Sequence, residues 1–244
     1  NEITRSGDYT FRVRSIAKYA DRAGDWSGYS DENTVTERQV SNNGSGSWVQ
    51  NQYGWWYRYY NGGYPSNTWE KINNTWYYFN RDGYMLTGWQ QINGSWYYLG
   101  SSGAMTRGWQ AVSGRWYYMN GDGVMLTGWQ YLSGHWYYLD GSGAMLTGFQ
   151  FINGRWYYLN SDGVMLTGWQ FINGAWYYLD GSGAVLTGWQ YINGRWYYMN
   201  DSGIMLTGWQ FINGSWYYLD SSGAMYANQT TPDGYYVDGS GRRN

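Results

Sequence analysis

The residues best placed to do chemistry in this chain are aromatic, and they recur. The string WYY begins at Trp76, Trp96, Trp116, Trp136, Trp156, Trp176, Trp196 and Trp216, a strict spacing of twenty residues. Seven positions ahead of most of these stands another Trp, as in Trp89-Gln90 and Trp209-Gln210. Rings in such numbers can face one another as a packing core. They can also turn their negative faces towards a cation or lie flat on a sugar. Ordinary catalytic constellations have little to draw on. There is no Cys and a single His, His135, so neither a Cys–His nor a Ser–His–carboxylate arrangement is specified by the repeat. His135 takes the post-turn position that is Arg115, Arg155 or Ser215 in other units, which reads as a solvated side chain. Acidic residues fall at shifting turn positions, so no carboxylate pair suited to glycoside hydrolysis is built in. Asp140, Asp180 and Asp220 flank turns, but the ligand spacing of an EF-hand is absent. The expectation is a chain that is not an enzyme, with no catalytic residue, no metal site and no cofactor.

Composition supports a special architecture. The chain of 244 residues has 19 Trp and 30 Tyr against 6 Phe, with 37 Gly and 2 Pro. A standard globular core would favour Leu, Ile and Val. The net charge is −2, with basic and acidic residues scattered, so no basic stripe suits a nucleic acid and no basic amphipathic helix suits a membrane surface. No apolar run approaches the roughly 18 residues that a membrane span needs. Neither nucleic acid nor membrane insertion is expected. The chain opens on NEITRSGDYTF, without a signal-peptide pattern, and reads as a piece of a longer protein. The lack of Cys fits, among other origins, a Gram-positive surface protein.

The elements that must position the rings follow from the turns between them. Asn93-Gly94 lies at the centre of a two-residue loop, a strong hairpin signal because both residues tolerate positive φ. This turn sets Ile92 opposite Ser95, Gln91 opposite Trp96, Gln90 opposite Tyr97 and Trp89 opposite Tyr98. Because side chains alternate along a strand, Trp89, Gln91, Trp96 and Tyr98 share one face. Gln90, Ile92, Tyr97 and Leu99 share the other. Later units replace Gln91 with Tyr131, Phe151, Phe171, Tyr191 and Phe211, making the first face more aromatic. Twenty residues leave no room for a hairpin and a helix, so the array is all-β.

A lone hairpin is marginal in water. A solenoid of tandem β-hairpins, each burying apolar faces on its neighbours, removes that problem. The array is expected to span residues 48–240, with degenerate units around 48–68 and 226–240 as caps, and residues 241–244 as a tail. TTPDGYYVDGSG reads as a shortened last unit. Residues 41–47, SNNGSGS, read as a flexible linker. In residues 1–40, GDYTFRVRSIAKYADRAGDWSGYSDENTVTE alternates Tyr9, Phe11 and Val13 with Thr10, Arg12 and Arg14. This stretch resembles the last two strands of a fibronectin type III domain and is expected to be its C-terminal remnant.

The repeat itself, TGWQxINGxWYYLDxSGxM, resembles the cell-wall-binding repeats, the choline-binding modules of streptococcal and clostridial surface proteins. The resemblance implies a solenoid of hairpins with ligand sites between consecutive hairpins, two aromatics coming from one hairpin and a Tyr from the next. Carried over by position, it gives Trp89 and Trp96 with Tyr118, and Trp109 and Trp116 with Tyr138. It also gives Trp129 and Trp136 with Tyr158, Trp169 and Trp176 with Tyr198, and Trp189 and Trp196 with Tyr218. Trp69 and Trp76 with Tyr98 form an earlier set, although Thr68 stands where Gly is usual. Phe149 replaces the first Trp in the set with Trp156 and Tyr178, which implies a weaker site. Trp209 and Trp216 would need Tyr236 from the shortened unit. Met125 and its equivalents are implied as lining residues, a pattern from which Val185 departs.

Converging rings suit a quaternary ammonium, which has no hydrogen-bond donor to satisfy. Each ring contributes roughly 0.5–2 kcal/mol, so a site of three rings would bind with roughly millimolar affinity. Several sites along a polymer with repeated choline groups would gain about a hundredfold in avidity. The expected partner is therefore a choline-bearing cell-wall polymer of the teichoic-acid type, with the chain anchoring a secreted protein at a Gram-positive cell wall. Two other readings stand beside it: stacking on neutral polysaccharide, glucan or mucin glycan, and a passive spacer.

Overall fold

Asn93 and Gly94 adopt φ of 51° and 83°, the double left-handed conformation that a two-residue hairpin requires. The same geometry recurs in the eight hairpins between the first and the last, with Ser113 and Ser133 held at φ 50° and 51° where Asn is replaced. It fixes the register: Trp89 pairs with Tyr98, Gln90 with Tyr97, Gln91 with Trp96 and Ile92 with Ser95, as the turn predicts. The computed structural model describes residues 45–243. The fibronectin-like reading of residues 1–40 lies outside the described residues.

Among the described residues the chain is all-β, a succession of ten two-stranded antiparallel hairpins. The first pairs Gly46–Asn51 with Gly54–Tyr59, and the last pairs Gln229–Thr230 with Tyr236–Val237. The first strand thus begins inside the stretch 41–47 given to the linker. At the other end, Gly241–Arg243 belong to the array rather than to a tail. Arg242 bridges Tyr217, and the Arg243 backbone N–H donates to the Trp216 carbonyl at 2.9 Å.

The residues between hairpins carry the connection from one unit to the next. After the hairpin Gly188–Ile192 with Arg195–Met199, the Leu206 N–H donates back to Tyr198 O at 2.9 Å, and the Met205 N–H donates to Trp176 O of the preceding hairpin at 2.8 Å. An Asx turn shapes most connectors, Gly100 being an exception held by backbone bonds alone. The Asp180 Oδ1 accepts from the Ser182 N–H at 2.8 Å, the Ser182 hydroxyl at 2.6 Å and the Ala184 N–H at 3.0 Å, while Asn160 and Asn200 do the same job uncharged. Partial burial works against ionising Asp140 and Asp180. Their hydrogen bonds, with Arg115 and Arg155 nearby, outweigh it and hold both carboxyls below the usual carboxylate range. The turn acids Asp140, Asp180 and Asp220 are thus engaged by their own loops.

In the eight hairpins between the first and the last, one residue is wholly buried at the end of the second strand: Leu99, Leu139, Leu159, Leu179, Leu219 or its counterparts Phe79, Met119 and Met199. The Ile residues before the turns join this core, Ile172 at 5% exposure. Gly223 marks a close approach: at φ 81° a Cβ there would land on the Met205 sulfur.

The array divides into two compact units. One ends at Gly108 and takes in Gly121–Val124; the other comprises Trp109–Asn120 and continues from Met125. In the first, Trp48 lies 4.8 Å from Tyr77 and stacks on Phe79 at 5.9 Å, closing a core of Tyr57, Ile72 and Phe79. Degenerate residues thus cover the apolar face of the next hairpin. In the second, Val237 is wholly buried at the far end.

Candidate functional site: aromatic cages between hairpins

Within one hairpin, the two Trp residues come together because the strand register puts them diagonally on the same face. Trp169 and Trp176 have centroids 6.3 Å apart with planes at 84°, and Trp109–Trp116, Trp129–Trp136 and Trp189–Trp196 repeat this at 6.4–6.5 Å. Trp89 and Trp96 form the same corner at 6.4 Å. Two walls at right angles are thereby built from a single hairpin.

The third wall comes from the first Tyr of the next WYY. Tyr197 meets Trp169 at 4.9 Å, Tyr137 meets Trp109 and Tyr157 meets Trp129 at 4.9 Å, and Tyr217 meets Trp189 at 4.8 Å. In the first unit Tyr97 stands against Trp69 at 4.9 Å, and the Met105 N–H donates to Trp76 O. Phe149 receives Tyr177 at 5.0 Å, and Trp156 lies on the strand Arg155–Leu159 paired with its own.

This differs from the sets carried over by resemblance, which used the second Tyr. Tyr98, Tyr118, Tyr138, Tyr158, Tyr178, Tyr198 and Tyr218 each lie against the first aromatic of their own hairpin, at 4.8–5.3 Å. The reason is the register: the second Tyr is cross-strand from that Trp on one face, whereas the first Tyr projects from the other face towards the preceding hairpin. Tyr236, expected in the last set, is likewise replaced there by Tyr235, 5.9 Å from Trp209.

Between Trp169, Trp176 and Tyr197 lies a cavity of about 450 Å³, completed by Met205, Ser221 and Ser222. Met205 is the lining methionine the pattern implies. The two serines come from the connector of a further unit and went unrecognised in the sequence; their only signal was a small polar pair recurring beside the connector Gly. All six side chains are neutral, so nothing ionic competes for a ligand. Half-exposed Trp176 offers its face to solvent, and Phe171 leans on it at 5.2 Å with 61% of its surface exposed. Tyr131, Phe151, Tyr191 and Phe211 repeat this outer ring beside their own Trp residues. Such a site can hold a compact apolar cation by its rings, with two hydroxyls at the rim.

The Trp209 set differs in its polar partners. The Trp209 Nε1–H donates to Asp233 Oδ2 at 2.8 Å, and the Thr231 hydroxyl donates to Asp233 Oδ1 at 2.6 Å. These two bonds, Thr231 first, hold the Asp233 carboxyl below its usual range, with the Arg243 charge adding to them.

Comparison with known proteins agrees with this architecture. A family model described as choline-binding repeat matches residues 66–107, 106–147, 146–187 and 186–229. A search of the curated proteins found no match. Among solved structures, choline binding protein F from Streptococcus pneumoniae, determined with a tetrasaccharide-pentapeptide analogue of peptidoglycan, is 43% identical with a TM-score of 0.66. That match covers 69% of this chain and 61% of the other, so the chain spans less than two thirds of that relative. CbpJ from Streptococcus pneumoniae TIGR4 is 38% identical over 78% of this chain and 76% of its own, with a TM-score of 0.71. The choline-binding domain of CbpL from Streptococcus pneumoniae is 34% identical over 74% of this chain and 97% of its own, with a TM-score of 0.55. Choline-binding repeat domains are binding modules, and with four matched segments covering well over half of its length, this chain belongs to the choline-binding repeat family.

Proposed function

We propose that the chain is a non-catalytic cell-wall-binding module, whose hairpins stack as a solenoid within each compact unit and hold choline groups of a teichoic-acid-type polymer. In this role it anchors a secreted protein at a Gram-positive surface. The observation that carries the reading is the neutral cavity of Trp169, Trp176, Tyr197 and Met205. A trimethylammonium group cannot donate a hydrogen bond, and ring faces attract it without a carboxylate. Contacts of roughly 0.5–2 kcal/mol per ring give a site of about millimolar affinity. Repetition along a polymer then supplies the hold.

The test is retention. Choline-bearing cell walls and a choline resin should retain the chain, and soluble choline should release it. Absence of retention, with no calorimetric heat from choline, would overturn the reading. The exposed rings Phe151, Phe171 and Phe211 favour a second reading, stacking on neutral glucan or mucin glycan. Retention on dextran or mucin that choline does not release would select it.

A further inference from the structure

The Trp209 cage already contains a cation. Arg243 places its guanidinium carbon 3.6 Å from the Tyr235 ring centroid and 5.6 Å from that of Trp209. Its backbone explains how it arrives there. The Arg243 N–H donates to Trp216 O at 2.9 Å, and Arg243 bridges Val237. In the same way the Met225 N–H donates to Trp196 O at 2.8 Å, and Met225 bridges Leu219. Arg243 therefore occupies the backbone position that the lining methionine holds in Met205 and Met225. The shortened last unit has put an arginine where the array otherwise puts a thioether.

We propose that Arg243 is a built-in ligand of the Trp209–Trp216–Tyr235 cage, and that this cage is closed to choline while the cages before it are open. A guanidinium is planar and weakly hydrated, so it stacks on a ring face with little loss of solvation. Its contact with Tyr235 is of that kind. This cage carries a carboxylate, Asp233, oriented by the Trp209 indole N–H and the Thr231 hydroxyl, where the lining of the Trp169 cage is neutral. That negative charge suits a resident cation better than a passing neutral surface would. Because Arg243 is tethered, its effective concentration at the cage is in the millimolar range or above. Free choline then has to displace a resident cation, and its occupancy at Trp209 falls relative to Trp189.

This inference rests on the reading of the cages as choline sites, and the experiment separates the two. Indole N–H resonances of Trp189 and Trp209 are followed by NMR in the whole chain as choline is added. The expected result is that Trp189 moves and Trp209 does not. In Arg243→Met, which installs the side chain of the other units, Trp209 should respond alongside Trp189. Arg243→Gln, which keeps a polar side chain without the charge, should also free the cage, and the Trp189 response in both variants reports a folded array. If Trp209 responds in the unaltered chain, or stays silent in both variants while Trp189 moves, the inference is overturned. If neither indole responds in any variant, the choline reading fails, and Arg243 is judged by its own side-chain protons. Ring current from Tyr235 should displace them upfield from free arginine; unshifted protons would overturn the occupancy itself.

Discussion

The Tyr197 ring meets Trp169 edge-on, with centroids 4.9 Å apart and planes at 66°, while its sequence neighbour Tyr198 rests on Trp189 at 5.1 Å. Two adjacent tyrosines thus serve different hairpins. One completes a neighbour's cage, and the other supports its own.

Substitution separates these roles. Tyr197→Leu should weaken choline binding at the Trp169 cage by roughly 5- to 30-fold, the loss of one good cation–π wall of about 1–2 kcal/mol. Tyr198→Leu should leave that cage nearly intact and instead disturb the Trp189 corner. Indole resonances of Trp169 and Trp189 under choline titration check both outcomes. Equal effects of the two variants at Trp169 would contradict the assignment.

Phe149 stands where the other units of its compact body carry Trp, and it receives Tyr177 at 5.0 Å in the same manner. Phe presents a weaker ring quadrupole than Trp. Phe149→Trp should therefore tighten choline at that cage by about two- to fivefold, roughly 0.5–1 kcal/mol. Saturation of the Trp156 signal at lower choline concentration is the measurement.

Two glycines with nearly equal φ should respond differently to the same change. Gly214, at φ 84°, has open space where a Cβ would go, so Gly214→Ala should cost about 1–2 kcal/mol from backbone strain alone. Gly223, at φ 81°, would drive its Cβ into the Met205 sulfur. Gly223→Ala should cost more in chemical denaturation, and should also weaken choline at the cage that Met205 lines.

Acid should loosen the connectors at Asp140 and Asp180. Both carboxyls are held below their ordinary range in the folded chain. Their stabilisation is therefore complete above the unfolded value of about 3.9, and is lost as pH falls below it through the native values. Asn serves the same turn at Asn160, accepting from the Asp162 and Val164 N–H groups at 3.0 and 2.9 Å. A double variant, Asp140→Asn with Asp180→Asn, should keep the turns and flatten the stability profile below about pH 4. Thermal melts across pH 2–6 check it; an unchanged acid limb would refute the assignment.

Much of this was legible in the sequence because it is local. Asn93-Gly94 sets the turn, the turn sets the register, and the register sets which side chains share a face. That is why Trp169 and Trp176 could be placed together without coordinates. The same register holds the information that Tyr197 and Tyr198 point opposite ways. It does not say which face of one hairpin meets which face of the next, so the resemblance-based choice fell on the second Tyr.

Sequence by itself determined the twenty-residue unit, the all-β hairpins and the paired Trp corners, since positive-φ turns and strand alternation act within a few residues. Tertiary structure decided that Tyr197, Met205, Ser221 and Ser222 close one cavity and that Arg243 enters another. Those outcomes depend on bonds between units, such as the Met205 N–H to Trp176 O, which orient each hairpin on the one before it. A pattern that repeats along the chain fixes each piece; only the hydrogen bonds and packing between pieces fix what they enclose.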